Sequence, residues 1–316
     1  MVIYPLFKVI ANGRDISNSI KDRLLRLTLD DRAGLESDEL ILAVSGIYDR
    51  PELGDTLSLA LGANGISYDY GRFKVQSTAV DHKTQSTVIR AMAVDFTGSI
   101  KERKSRLWET VSLADIASQI ASENALSTVI NGAQEVRIAS KVQNNKSDLA
   151  FMEQLADEYG FMFTIKNSTL MLLKKHSKNN NAEISINAED CTVLSIEQAA
   201  KASYSSVTLE WQDLDSGTIQ TVNSGNGSPV YYIRDVQPGS PQEAQYIADG
   251  RLNILEQRTI FGRLSIPGGM QIQAGTKLIL SGSGEDDGEY FIDGVVHNII
   301  PHEYTVNVEF SQMSSR

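Results

Sequence analysis

SDLAFMEQLADEYGFMFTIKNSTLMLLKK, residues 147–175, contains a full change of backbone period and sets how the rest of the chain is read. Ser147 suits a helix N-cap, because its hydroxyl can accept a hydrogen bond from an otherwise unpaired N–H of the first turn. Asp148 follows at the positive end of the helix dipole. Leu149, Met152, Leu155, Ala156 and Tyr159 recur at helical spacing, which gives one apolar face to bury. Gly160 fits the left-handed position that ends a helix, and Phe161 can fold back onto the last turn. Phe161, Phe163 and Ile165 then alternate with Met162, Thr164 and Lys166; Lys166 to Thr169 offers a turn, and Leu170 to Leu173 returns as a second strand. The unit is a helix followed by a hairpin.

Upstream of it, Ser112 caps a second helix with apolar positions Leu113, Ile116, Ala117 and Ile120. Val129 and Ile130, then Val136 and Ile138, suggest short strands around Asn131-Gly132. Thr97-Gly98-Ser99 and the charged run Lys101 to Arg106 are expected to be a solvated linker. Residues 1–96 alternate apolar and polar positions between tight turns, with no convincing helix. Asn12-Gly13 is a two-residue hairpin signal, since both positions tolerate positive φ. Leu24, Leu27 and Leu29, then Leu40, Leu42 and Val44, then Leu57, Leu59 and Leu61 mark strands. Tyr70 opens a long strand, and Thr87 to Val94 supplies another. Such a series indicates a sandwich or barrel. Leu57 to Leu61 is expected to be an exposed edge in need of a partner strand.

Downstream, His176 to Asn181 is a polar breaker, and strands resume at Thr192, Ser206, Thr218 and Val230. Ser240-Pro241-Gln242-Glu243 combines a cap, a proline at the first helical position and a glutamate three residues after the cap, so a helix is inserted near 240–257. The last strands are Gly262 to Ile266, Lys277 to Ser281, Tyr290 to Ile299 and Tyr304 to Phe310. The expected fold is mainly β with an α+β insert: a β-rich domain over 1–96, an α+β domain over 97–176 and a second β-rich domain over 177–316.

The 316 residues carry a formal net charge of −11, which opposes nucleic-acid binding by phosphate neutralisation. No apolar run approaches the ~18–20 residues of a membrane span, and the start has no basic leader with a long apolar core. Cys191, the single cysteine, cannot form an internal disulfide and fits a buried, inert thiol. His82, His176, His297 and His302 lack metal-ligand spacing; His297, His302 and Glu303 come nearest, and satisfied strand histidines explain them. Glu285 to Asp287 reads as a turn rather than a calcium loop. Ser224 to Ser228 and Gly282 to Gly284 match no phosphate-cradling loop, and no nucleophile elbow is present. Lys174, Lys175 and Lys178 read as a solvated hairpin end. No catalytic, cofactor-binding or metal-ligating residue is assigned, and no cofactor is expected.

The order of these features resembles the late control protein D family of contractile-tailed phages, the tail hub proteins, which are related to the hub part of type VI secretion spike proteins. Phe7 to Asp31 is similar to the family's opening, with its Asn-Gly turn before a long strand ending in acidic residues. Pro51 to Leu57 with Tyr70 to Phe73 resembles the middle strands, and Lys104 to Trp108 with Thr110 to Leu113 resembles the join to the first helix. Ser147 to Gly160 resembles the second helix. Asp287 to Tyr290, Val296-His297 and Tyr304 to Asn307 resemble the last strands. The resemblance spans nearly the whole chain through loose motifs in a fixed order.

It implies a non-enzymatic structural protein of the virion tail baseplate or a phage-tail-like particle, made in the bacterial cytoplasm. Two tube-like β-barrel domains would flank the α+β domain. A homotrimer would form a pseudo-hexameric ring that joins a hexameric tail tube to a trimeric central spike, with other baseplate proteins around it and no membrane partner. Because the chain stops at Arg316, the spike is expected to be a separate polypeptide. Phage, prophage remnant and tail-like bacteriocin all stay open. An acidic bore would repel passing DNA. The rival readings are a carbohydrate-binding wall module, with Trp108 and Trp211 stacking on sugars, and a tail-borne wall hydrolase, for which no catalytic set is found.

Overall fold

The structure, a computed structural model, describes residues 4–34, 37–48, 51–93, 98–166, 168–174, 183–199, 204–213, 216–256 and 260–312. Val94, Thr97, Asn167, Lys175, Lys178, the breaker His176 to Asn181 and Arg316 lie outside the described residues. In chain order the elements are β1 Pro5–Ala11, β2 Arg14–Asp15, α1 Ser17–Lys21, β3 Leu24–Arg32, β4 Glu39–Ser45, β5 Thr56–Ala63, β6 Ile66–Asp81 and β7 Ser86–Ala93. Next come β8 Arg103–Ser112, α2 Leu113–Glu123, β9 Ser127–Asn131, β10 Arg137–Ser147, α3 Asp148–Tyr159, β11 Phe161–Lys166 and β12 Thr169–Lys174. The rest are β13 Glu183–Asn187, β14 Val193–Gln198, β15 Ser206–Gln212, β16 Ile219–Gly225, β17 Val230–Ile233, α4 Pro241–Glu256, β18 Ile260–Pro267, β19 Lys277–Ser281, β20 Gly288–Ile300 and β21 Glu303–Gln312. The chain is mainly β. Its contacts gather it into two units, one of residues 1–95, 182–196 and 262–310, the other of 96–181, 197–261 and 311–316.

The first unit is built on a 13-stranded sheet in the order β14-β18-β21-β20-β3-β4-β7-β6-β5-β1-β2, with β19 also on β20 and β13 on β19. Among the described residues this ladder runs open from β14 to β2. Strict alternation puts Leu27 opposite Leu42 and Leu29 opposite Leu40. All four are at most 1 % exposed. Each such side chain stabilises the unit by roughly 1.5–3 kcal/mol through burial. The β1–β2 turn uses Asn12 and Gly13 at φ 45° and 83°, the left-handed geometry a two-residue hairpin needs. Early and late strands meet where β3 pairs with β20, with Thr28 opposite Asn298 and Leu29 opposite His297.

In the second unit, Ser112 caps α2 and receives the Asp115 N–H at 3.0 Å, while the Asp115 carboxylate accepts the Ser112 N–H, completing a capping box. Ser147 caps α3 through the Ala150 N–H, and Gly160 closes it at φ 74°. The hairpin β11–β12 gains β9 as a third strand, parallel to β12. β8 pairs with β10. β15 lies between β16 and β17, and α4 packs on this sheet. Ser240 caps α4 through the Glu243 N–H at 3.1 Å; Glu243 in turn accepts the Gly239 N–H at 3.0 Å and the Tyr159 hydroxyl at 2.7 Å.

Three expectations are corrected. Leu57, Leu59 and Leu61 form no exposed edge: β5 lies between β1 and β6, and these leucines are 2, 1 and 0 % exposed. Most of the charged run is no linker, because Arg103 begins a ten-residue strand whose cations find partners on α2 and α3. Residues 1–96 also contain a helix, α1, too short at five residues to leave a periodic signal.

Candidate functional site

β8 turns the usual pattern inside out. Lys104, Arg106 and Trp108 share the face toward the helices, while Leu107 between them is 53 % exposed and sits opposite Val142, 62 % exposed. The inward cations converge on Asp148 at the start of α3, whose side chain has no exposure. Its Oδ1 accepts from Arg106 Nη2 at 2.6 Å and Gln143 Nε2 at 3.0 Å; its Oδ2 accepts from Lys104 Nζ at 2.6 Å and Asn124 Nδ2 at 3.3 Å. Glu123 receives Arg106 Nη1 at 2.8 Å and Lys104 Nζ at 3.2 Å. Partial burial raises the Glu123 pKa, but bonds from Gln119, Arg106 and Lys104 outweigh it and hold the carboxyl at about 2. The bond to Asp148 leads in raising Lys104. Two cations meet two carboxylates, and both Asp148 oxygens are occupied. Such a cluster ties β8 and β10 to both helices and leaves no group free for acid–base work.

The residues weighed as ligands or nucleophiles do not come together. His297 is fully buried; its Nε2 donates to the Ile272 carbonyl at 3.1 Å, and its Nδ1 accepts the Tyr304 hydroxyl at 2.9 Å. Burial pushes its pKa down to about 4. His302 is a turn residue at φ 70°. Cys191 is half-buried, with Sγ 3.7 Å from the Asn187 carbonyl, and burial and Asp190 push the thiol up. Asp287 closes its own turn by accepting the Ser283 N–H and hydroxyl. In the glycine-rich loop after β16, the Gly227 and Ser228 carbonyls accept from the Ser206 and Ser205 hydroxyls, whereas a phosphate needs converging N–H groups. Lys174 is exposed at the end of β12.

Among the described residues no three His, Cys, Asp or Glu side chains cluster as metal ligands, and no helix is long and apolar enough to cross a membrane. An open cleft lined by Glu183, Ile184, Gln271, Gln273 and Thr276 offers one carboxylate, too few charged donors for a metal. Trp108 and Trp211 are buried at 5 and 6 % exposure. Trp108 stacks on Phe151 with centroids 6.3 Å apart, under the Arg106 guanidinium at 4.4 Å. What the molecule does present is strand surface with exposed apolar side chains, among them Tyr4, Leu6, Ile66, Leu107, Val142, Val193, Ile219 and Phe261. Of these, Leu107 and Val142 face each other across β8 and β10, an exposed apolar pair on the outer face of that ribbon.

Comparison with known proteins fits that picture. Residues 72–301 match the model of the family described as phage tail baseplate hub (GPD). A probable baseplate hub protein of Escherichia phage 186 is 27 % identical over 219 residues, 66 % of this chain and 56 % of that protein. Its counterpart from Escherichia phage P2 is 28 % identical with the same coverage. The match thus spans little more than half of each relative. The 43 kDa tail protein of prophage MuSo2 from Shewanella oneidensis superposes with TM-score 0.72 at 9 % identity, over 97 % of this chain and 98 % of that one. A tail protein from Neisseria meningitidis MC58 gives 0.71 at 11 % identity, over 98 % and 96 %. An Escherichia coli component of the type VI secretion system, described as similar to T4 tail proteins, gives 0.59 at 12 % identity, over 98 % and 77 %. At such identities these likenesses establish a shared fold.

Proposed function

Since the chain belongs to the phage tail baseplate hub family, we propose that it is a structural, non-enzymatic hub of a contractile tail or tail-like particle. The family match over residues 72–301 carries this reading. In it, three copies form a pseudo-hexameric ring in the baseplate that joins the hexameric tail tube to the trimeric central spike, with other baseplate proteins bound outside. Residues 1–96 and 177–316 each supply a tube-like β-barrel domain. Residues 97–176 form the α+β domain between them, and the helix near 240–257 is an insertion in the second barrel. What supports the pairing of the two β-rich segments is the sheet of the first unit, which takes strands from both and joins them at β3–β20. Two barrels per copy give three copies sixfold-like contacts on one side and threefold contacts on the other. With a net charge of −11, a ring whose bore is acidic would repel DNA rather than hold it.

The test is mass in solution combined with capture. A trimer by light scattering that retains a tail tube protein or a spike protein supports the hub. A chain that is monomeric at every concentration and retains neither overturns it.

A further inference from the structure

β13 ends one branch of the first unit's sheet. It pairs with β19 on one side, and among the described residues no strand lies along the other. A glycine bulge fixes which backbone groups that leaves free. Gly275, at φ 87°, donates its N–H to the Ile292 carbonyl at 2.8 Å, and the Ile292 N–H donates to the Thr276 carbonyl at 3.0 Å. Counting on in twos, Leu278 and Leu280 turn their backbone groups to β20, so Lys277, Ile279 and Ser281 turn theirs to β13. In the parallel register Lys277 lies opposite Glu183 and Ile279 opposite Ser185, and the groups that answer them include those of Ile184 and Ile186. The N–H and C=O of Glu183 and Ser185 and the N–H of Asn187 therefore point out of the sheet. The Asn187 carbonyl already faces Cys191 Sγ at 3.7 Å. Glu183, Ser185 and Asn187 are exposed, while Ile184 and Ile186 turn to the other face.

Beside the start of this edge lies the open cleft of about 210 Å³ lined by Glu183, Ile184, Gln271, Gln273 and Thr276. Its surroundings are acidic. Lys277 is the only lysine or arginine in residues 183–192 and 268–300, against eight aspartates and glutamates in the same segments. That lysine bonds Glu289 at 2.5 Å and lies 3.9 Å from Glu183, so Glu183 is left for an incoming cation. We propose that the β13 edge takes an extended basic segment of a partner polypeptide as an added strand, with one lysine or arginine side chain in the cleft against Glu183. The free N–H and C=O groups supply main-chain bonds whatever the sequence, and the cleft supplies selectivity. The Gln271 and Gln273 carboxamide oxygens can accept from the same cation, which makes the contact charge-assisted. An alternating segment suits both faces of the strand: apolar side chains extend the row of Ile184 and Ile186, and cations extend the row of Glu183. Such docking needs a single copy, so it stands or falls apart from the ring proposed above.

The experiment is fluorescence anisotropy on the full chain with a labelled hexapeptide that alternates valine and lysine. Saturable binding is expected. A glutamate-for-lysine peptide should not bind, nor should the lysine peptide once its alternate amides are N-methylated, which removes the main-chain donors without altering the protein. Ser185→Pro takes away an outward N–H at an edge position where proline is tolerated and should abolish binding, while Ser185→Ala keeps it. Glu183→Gln should weaken binding about tenfold, the worth of one hydrogen bond to a charged group. No saturation up to millimolar peptide overturns the proposal. So does unchanged affinity in Ser185→Pro, in Glu183→Gln or with the methylated peptide, which would mark general attraction to an acidic chain. An oligomer of the wild type that Ser185→Pro dissolves would make a second copy the occupant and overturn it as well.

Discussion

Gly160 and Gly250 touch backbone to backbone: a Cβ built on Gly160 would lie 2.4 Å from the Gly250 Cα, and one built on Gly250 would lie 2.6 Å from the Tyr159 carbonyl carbon. The end of α3 therefore crosses α4 with no side chain between them. Gly250 is helical, and there alanine normally gains about 1 kcal/mol over glycine. The crowding should win, because the neighbouring atoms are backbone and cannot swing aside. Gly250→Ala is expected to destabilise the chain by about 1–3 kcal/mol. Urea unfolding decides it; a variant as stable as the wild type would show that the helices do not cross this closely.

Asp148 is fully buried between two cations. Asp148→Ala removes one of the two carboxylates that Lys104 and Arg106 share, leaving them Glu123 alone, and takes an acceptor from Gln143 and Asn124; it should cost about 1–3 kcal/mol. Exposed Asp81, which accepts the Lys83 and Thr84 N–H groups, serves as the control. Its alanine variant should lose clearly less stability than Asp148→Ala. Equal losses from the two variants in chemical denaturation would deny the cluster a structural role.

His297 provides a pH dependence whose sign can be stated. Its folded pKa, about 4, lies below the ordinary 6.5, so the unfolded chain takes up the proton first as pH falls. The stability it contributes is complete above pH 6.5 and is lost between 6.5 and 4, at most about 3 kcal/mol. His297→Asn should be less stable at pH 7 and flatter between pH 6.5 and 5. An unchanged slope in unfolding free energy against pH would place the titration elsewhere.

The burial of Trp108 and Trp211 also bears on wall binding. Peptidoglycan fragments should leave the tryptophan emission unchanged up to millimolar concentration. A saturable quench or blue shift would revive a sugar-binding site.

Much of the second unit was legible because its signals are local. The Ser147 cap, the Gly160 stop and the Ser240–Glu243 start each depend on residues within one turn of each other. The β8 strand was hidden for the opposite reason. Its inward side chains are cations whose partners, Glu123 and Asp148, come 17 to 44 residues later, so charge in the sequence looked like surface. The burial of Leu57 to Leu61 depended on the β1–β5 pairing, which alternation along β5 cannot reveal.

The pairing of β3 with β20 sets a schedule. Thr28 and Asn298 are 270 positions apart and bond side chain to side chain at 3.2 Å. At roughly 5–20 residues per second, the ribosome leaves β3 without that neighbour for some tens of seconds. The second unit's segments, rich in local contacts, can fold in the meantime, while β3 keeps an open flank in the crowded cell. A nascent chain is therefore exposed to mispairing until its late strands emerge, and chaperone dependence should fall once residue 300 is free.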